Sequence, residues 1–380
     1  MERTVHEIVL EYDPAAPLAE AATIPSIWYV DPRIEALEAR TVFSNNWIVA
    51  GRTDQVAQPG AFFSAEVAGE PVVVVRGSDG ILRGLYNVCR HHAAAVITEP
   101  CGVVQQLRCP YHGWTYGLDG SLKGTPDFEE VRDFDRALNG LAPLAAEIWE
   151  NFVLIHLNSP AGRLADFLGG LRRVVNPLGL AGLQFLERRE YTLDCNWKVF
   201  VDNYLDGGYH VPYLHKSLSS VVSYKDYTIR NEDRYCEQSS PLDPGAATDA
   251  VTAQTRQGSR AYYLWQYPNF MLNWYEGVMD TNLVFPLGVD RCRVVFDFYF
   301  SEVDGPAAER NRRSIELSDR IQNEDVGICE AVQRGLHSRS YRAGRLSVRR
   351  EGGMHLFHRL LAADLRAGLA ISDGARPQND

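Results

Sequence analysis

The order of apolar and polar positions gives the chain three textures. In residues 33–43, "RIEALEARTVF", Ile34, Leu37, Val42 and Phe43 fall at helical spacing with charges between them, which predicts a helix near the N-terminus. From about 46 to 155 the pattern turns into short β-rich runs, "PVVVVRG", "LRGLYNV", "QLRCPYH" and "ENFVLIHL", separated by Gly, Pro and the turns "SDG" and "LDG". This predicts a small all-β domain. Farther on, strands are expected over 186–194, 262–275, 280–287 and 291–301, and helices over 195–206, 306–337 and 352–366. The expected fold class is α+β: a β domain, then a mixed domain with an antiparallel sheet and flanking helices. The expected limits are 1–44 for an N-terminal helical segment packed on the mixed domain, 45–158 for the β domain and 159–380 for the mixed domain.

Composition narrows the function. Hydrophobic residues make up 45% and charged residues 23%, ordinary for a soluble protein with a sizeable core. A net charge of −11 argues against binding nucleic acid, whose phosphates are held by clustered Lys and Arg. "MERTVHEIVLEYDPAAP" lacks a signal-peptide core and no later stretch is apolar for 18 residues, so no membrane contact and a cytoplasmic location are expected. In a reducing compartment the 7 cysteines are not a disulfide framework; Cys195, Cys236, Cys292 and Cys329 are expected to be buried thiols.

Candidate chemistry is concentrated in "NVCRHHAAAVITEPCGVVQQLRCPYHGWTYG". The pairs Cys89-x-His91 and Cys109-x-x-His112 stand 17 residues apart, and thiolate with imidazole suits zinc or iron. A zinc site is one reading. The other is a [2Fe–2S] centre with two thiolates on one iron and two imidazoles on the other, each pair supplying one of each from a β loop. Pro110 and Gly113 shape a tight loop that favours the cluster. Spacing leaves His92 and Cys101 as bystanders.

A second group lies in "CNWKVFVDNYLDGGYHVPYLHKSL". Trp197, Phe200, Val201 and Tyr204 mark a core-facing helical stripe. His210 and His215 are five apart, about 140° around an ideal helix, so a straight helix would not aim both at one metal. Gly207, Gly208 and Pro212 supply a break that lets them converge. Two histidines and a carboxylate leave open positions on iron, and the acid could be Glu324 or Asp325 in "RIQNEDVGICEAVQRGL".

Together these motifs resemble the α subunits of Rieske non-haem iron oxygenases, the aromatic-ring-hydroxylating dioxygenase family, over nearly the whole chain. The resemblance implies a Rieske cluster on Cys89, His91, Cys109 and His112. It also implies mononuclear Fe(II) on His210, His215 and Asp325, which stands five residues before Glu330 as the family pattern has it, with Glu324 the alternative. Asp206 is implied as a catalytic bridge between the iron of one subunit and His112 of the next, in a homotrimer or a multiple of one. Many relatives have Arg where this chain has His92, and many arene dioxygenases place the bridging acid three rather than four residues before the histidine. Electrons are expected from NAD(P)H through a separate reductase, with or without a ferredoxin, because the chain has no dinucleotide fingerprint.

For the substrate, "DNYLDGGYHVPYLHK", "YPNFMLNWYEGVMDTNLVFPLG" and "GGMHLFHRLL" look like choline monooxygenase and related quaternary-amine oxygenases. A trimethylammonium group is held by aromatic faces, and "YYLWQYPNFMLNWY" offers Tyr263, Trp265, Tyr267, Phe270, Trp274 and Tyr275. Strand alternation allows about half of these to line one pocket. A ring-hydroxylating oxygenase for an aromatic acid or arene is the alternative, marked by a basic pocket residue. A pure electron carrier would need only about 100–150 residues.

Overall fold

In the computed structural model, which describes residues 3–248 and 250–374, the chain divides into two units. One covers Phe43–Leu164; the other joins the stretch up to Val42 to the chain from Ala165 onward.

The first unit is built on a seven-stranded sheet in which Glu70–Arg76 is an interior strand. Its valines Val72–Val75 are all 0% exposed, as expected of an unbroken apolar run covered on both faces. A small three-stranded sheet, Leu107–Arg108, Thr115–Tyr116 and Leu122–Gly124, carries the second Cys/His loop between its first two strands. The first loop follows Leu82–Tyr86 and is stapled by buried Asn87. The Asn87 side-chain oxygen accepts from the N–H groups of Val96 and Ile97, both at 2.9 Å, and its amide donates to the Ile97 carbonyl at 2.7 Å.

The second unit holds another seven-stranded antiparallel sheet. Six strands meander from Thr228–Glu232 through Tyr235–Pro241, Arg260–Gln266, Phe270–Tyr275 and Val278–Gly288 to Arg291–Phe300, with Gln184–Leu193 on the far edge. The apolar run 262–275 is therefore not one strand. It turns at Tyr267-Pro268-Asn269, because proline cannot donate to a ladder. Strands Thr228–Glu232 and Tyr235–Pro241 carry too many polar residues to declare themselves by alternation. Long helices Ala307–Leu336 and Gly352–Gly374 and the shorter Trp197–Tyr204 complete the unit.

Trp197–Tyr204 is fixed from both ends. Asn196 caps it by accepting from the Lys198 N–H at 3.1 Å. Lys198, fully buried, pairs at 2.7 Å with Glu38 of helix Pro32–Glu38, and the Trp197 indole N–H donates to the same carboxylate at 2.8 Å. Burial pulls the Lys198 pKa down against the pull of Glu38. On the next turn Asp202 accepts from the Tyr29 hydroxyl and meets His358 Nε2 at 2.9 Å. Buried charge is tolerated here because every member is bonded.

Candidate metal centres and the cavity beside them

The two Cys/His loops close in the same way despite unlike sequences. In each, the cysteine N–H donates to the carbonyl five residues on: Cys89 to Ala94 and Cys109 to Trp114, both at 2.9 Å. In each, the N–H four residues on returns to the cysteine carbonyl, from Ala93 at 2.9 Å and Gly113 at 3.1 Å. Ala93 (φ 61°) and Gly113 (φ 73°) both take the left-handed conformation, which glycine adopts freely and alanine under strain. The loops thus present the buried thiols of Cys89 and Cys109 side by side, with the His91 and His112 rings 4.7 Å apart.

Those side chains fit a two-iron cluster. Burial raises the Cys109 thiol pKa, while the backbone N–H groups of Tyr111 and His112 and the neighbouring Cys89 also act on it. The Tyr116 hydroxyl lies 3.3 Å from Cys89 Sγ and accepts from the Arg90 N–H at 3.0 Å. His91 stacks on Trp114 at 4.8 Å and 4°, and its Nδ1 is buried with no hydrogen-bond partner, as a ligand nitrogen would be in the apoprotein. His92 also comes within ligand range of His91 and His112, and it is exposed as His112 is. Cys101 lies on strand Cys101–Val103 with an exposed side chain, outside the cluster. The other four cysteines are buried, though not each alone: Cys195 and Cys292 have their sulfurs 3.8 Å apart.

The second group forms where helix Trp197–Tyr204 breaks. Gly207 and Gly208 both have φ 68°, and a Cβ on Gly207 would sit 2.2 Å from the Arg350 carbonyl oxygen. Only glycine fits there. Asp206 then ties the turn, accepting from the N–H groups of Tyr209 at 3.1 Å and His210 at 3.0 Å. A single helical turn, Val211–Leu214, separates the histidines, and His215 leaves helical geometry at ψ 76°. This swings its ring toward His210, with centroids 4.9 Å apart.

Each imidazole is held by its Nδ1: His210 by Asp206 and His215 by Glu324, both at 2.6 Å. Carboxylates on that side set the tautomer and free Nε2 for a metal. The Nε2 atoms of His215 and His210 lie 3.1 and 3.9 Å from Asp325 Oδ1. Ligand atoms on one octahedral metal with bonds of about 2.1 Å are about 3 Å apart, so this donor set fits one ion after small adjustment. Asn203 donates to Asp325 Oδ1 at 2.9 Å and fixes it. The structure gives adjacent Glu324 and Asp325 different places, one behind the His215 ring and one in front.

A cavity opens from His210, His215 and Asp325. Phe200, Tyr204, Tyr227, Tyr263, Tyr275 and Phe296 give it an aromatic wall. Burial raises the phenol pKa values of Tyr204, Tyr227 and Tyr263, so these rings stay neutral. Of the six aromatic residues that the sequence offered for the substrate, Tyr263 and Tyr275 line this cavity and four do not. Trp274 sits between inward-facing Asn273 and Tyr275, so alternation turns it to the other face, against Tyr262. Trp265 shares the face of Tyr263 but packs on Phe357 of the C-terminal helix. Tyr267, past the strand end, donates to Asp364 at 2.9 Å. Phe270 is buried outside the cavity lining.

Sequence reasoning missed two charged residues in the same wall. Asp280 is 3% exposed and Arg256 is 2% exposed. Cross-strand pairing sets Tyr263 beside Asn273 and Asn273 beside Asp280 in one row. The amides of Asn273 and Asn282 donate to Asp280 Oδ2 at 2.8 and 3.4 Å. Burial still raises the Asp280 pKa, opposed by the field of Arg256 and by those amides. No sequence pattern distinguishes such an acid in a strand from a solvated one.

A β-sheet unit with paired Cys/His loops and a helix-on-sheet unit with two histidines and an aspartate define a two-centre oxygenase subunit. Residues 46–135 match the model of the Rieske [2Fe-2S] domain, and residues 180–367 match that of the ring hydroxylating alpha subunit catalytic domain. The chain is 39% identical to a chloroplastic choline monooxygenase of Arabidopsis thaliana, covering 95% of this chain and 87% of that one. It is 30% identical to the carnitine monooxygenase oxygenase subunit of Escherichia coli K12, covering 90% and 94%. A solved quaternary ammonium Rieske monooxygenase in complex with L-carnitine superposes with a TM-score of 0.81 at 27% identity, covering 96% of this chain and 99% of that one. Naphthalene 1,2-dioxygenase from Rhodococcus sp., at 20% identity and TM-score 0.76 over 91% and 94%, shares the fold. The chain belongs to the Rieske oxygenase family and is an oxygenase. No helix among the described residues is long and apolar enough to cross a membrane.

Proposed function

We propose that this chain is the oxygenase component that hydroxylates a quaternary ammonium compound or related amine, of the choline, betaine or carnitine kind. The observation that carries this reading is the cavity, in which an aromatic wall and a buried carboxylate, Asp280, adjoin the His210–His215–Asp325 group. A trimethylammonium group accepts no hydrogen bond and is held by aromatic faces and negative charge. The choline and carnitine monooxygenases among its relatives support the same substrate class.

Cys89, His91, Cys109 and His112 would hold the [2Fe–2S] cluster, and His210, His215 and Asp325 the mononuclear iron. Such an iron, with positions left open, supplies activation of O₂ for insertion into a C–H bond. The chain's own groups do the rest. Asp206 and Glu324 hold protons on the two Nδ1 atoms, Asn203 orients Asp325, and the aromatic wall keeps the substrate methyls dry. Hydroxylating an N-methyl group gives a carbinolamine that releases formaldehyde and the demethylated amine. Hydroxylating a choline-like alcohol carbon gives the aldehyde hydrate.

Two electrons per O₂ would come from NAD(P)H through a separate reductase, with or without a ferredoxin. Asp206 would link His112 of one subunit to His210 of the next in a homotrimer or a multiple of one, and the assembly would work in the cytoplasm. The ring-hydroxylating alternative has one observation in its favour, the cavity's Arg256, a partner for an aromatic carboxylate. The test is O₂ uptake with product analysis on the reduced, reconstituted protein. Oxidised amine formed with one O₂ supports the proposal; oxidised benzoate- or salicylate-type acid with untouched amines overturns it.

A further inference from the structure

Arg256 follows helix Ala250–Thr255 and reaches the cavity with its guanidinium lying 4.6 Å over the Tyr275 ring. Two of its nitrogens donate to neutral partners on helix Ala307–Leu336, the hydroxyls of Ser314 and Ser318, both at 2.9 Å. Its Nε is buried and finds no acceptor. Among the described residues, no carboxylate lies within 4 Å of this guanidinium, Asp280 included. Asp280 is near enough to feel the guanidinium's field but not to touch it, and a buried guanidinium with no carboxylate in contact is costly, so native proteins almost always pair one. The same wall carries Asp280, whose Oδ2 takes two amide donors while its Oδ1 takes none. One cavity thus holds a cation and an anion that do not meet, and each has hydrogen-bonding capacity left over.

We infer that Arg256 is the specificity-determining anchor for an anionic group on the substrate, which is a zwitterion carrying a quaternary ammonium and a carboxylate rather than a simple cation such as choline. The ammonium end lies among the aromatic rings on the Asp280 side, and the carboxylate end completes the guanidinium. This rests on the quaternary-ammonium reading and sharpens it. A plain cation would leave Arg256 unpaired and add a second positive charge to its enclosure. A plain aromatic acid would pair with Arg256 but face the Asp280 carboxylate.

The test is equilibrium binding to the anaerobic holoenzyme by calorimetry, with turnover measured alongside, for glycine betaine, choline and benzoate. Wild type should prefer glycine betaine to choline by about 10-fold or more, the worth of one charge-assisted contact. In Arg256→Gln the betaine-to-choline affinity ratio should fall by about 10- to 100-fold, and Arg256→Lys should recover part of it. Asp280→Asn should weaken both ammonium ligands and leave the ratio near wild type. Cluster absorbance and iron content report whether each variant is folded, and the wild-type ratio stands if one is not. Choline bound and oxidised at least as well as betaine, or a ratio unmoved by both Arg256 variants, overturns the inference while the quaternary-ammonium reading stands. Benzoate bound with neither ammonium ligand overturns both.

Discussion

The cluster loops are tied shut by their own backbones within residues 87–116, whereas the His210–His215–Asp325 group draws its third member from a helix more than a hundred residues away. In the loops, the cysteine-to-carbonyl hydrogen bonds and the Asn87 staple fix the Cys and His positions through contacts local in sequence. In the second group, position depends on how helix Ala307–Leu336 lies against helix Trp197–Tyr204, and carboxylates behind the rings provide the fine aim. A locally closed site is robust and insensitive to distant change. A site assembled across elements can be tuned through residues that never touch the metal.

The largest effects should separate the two groups completely. Cys109→Ala should abolish the cluster's visible absorption while leaving iron at the other site, and His210→Ala should do the reverse; either should abolish turnover. Absorption spectra and iron content per chain check this. Loss of both signals in either variant would show that the units do not fold independently, which would break the contrast between them.

Asp206→Asn addresses the link between the groups. The asparagine oxygen can still accept from the N–H groups of Tyr209 and His210, so the turn should hold and both metals stay bound. Product from a single turnover of reduced protein should drop by about a hundredfold or more if this carboxylate carries the link. A normal single-turnover rate would remove the bridging role and leave Asp206 as a cap on the Gly207–Gly208 turn. Glu324→Gln should act more gently, weakening iron at His215 by about 10- to 100-fold, as loss of a carboxylate behind a metal-bound histidine does. Iron titration monitors it, and the cluster spectrum should not change.

What could be read in the sequence follows the same division. The two Cys/His pairs are legible because their spacing is the loop geometry itself, and the approach of His210 to His215 because a double glycine explains how they converge. Glu324 and Asp325 are both visible as acids, but which lies in front of His215 and which behind depends on the rotation of a 30-residue helix. Of the six candidates in the aromatic run only Tyr263 and Tyr275 line the cavity, since the turn at Pro268 and the two-residue alternation send Tyr267 and Trp274 elsewhere, and Trp265 packs on Phe357. Arg256 and Asp280 were invisible. They meet the site only through the packing of a short helix and the register of strands, and neither belongs to a motif.

The smallest effect sharpens the account of the cluster loops. Tyr116 is fully buried, and its hydroxyl contacts Cys89 Sγ while accepting from the Arg90 N–H, which leaves its proton free to point at sulfur. Burial, together with Cys89, holds its phenol pKa far above the usual range, so it remains a donor at any working pH. A donor to a ligand sulfur stabilises the reduced, more negative cluster more than the oxidised one. Tyr116→Phe keeps the ring and its packing against the loop and removes only that proton. If the bond is worth about 1 kcal/mol more in the reduced state, the reduction potential should fall by about 40 mV for this one-electron couple, with iron content unchanged. Spectroelectrochemistry reads the shift directly. An unchanged potential would mean that the hydroxyl serves the Arg90 N–H alone, and that the loop's backbone donors, not its side chains, set the cluster's potential.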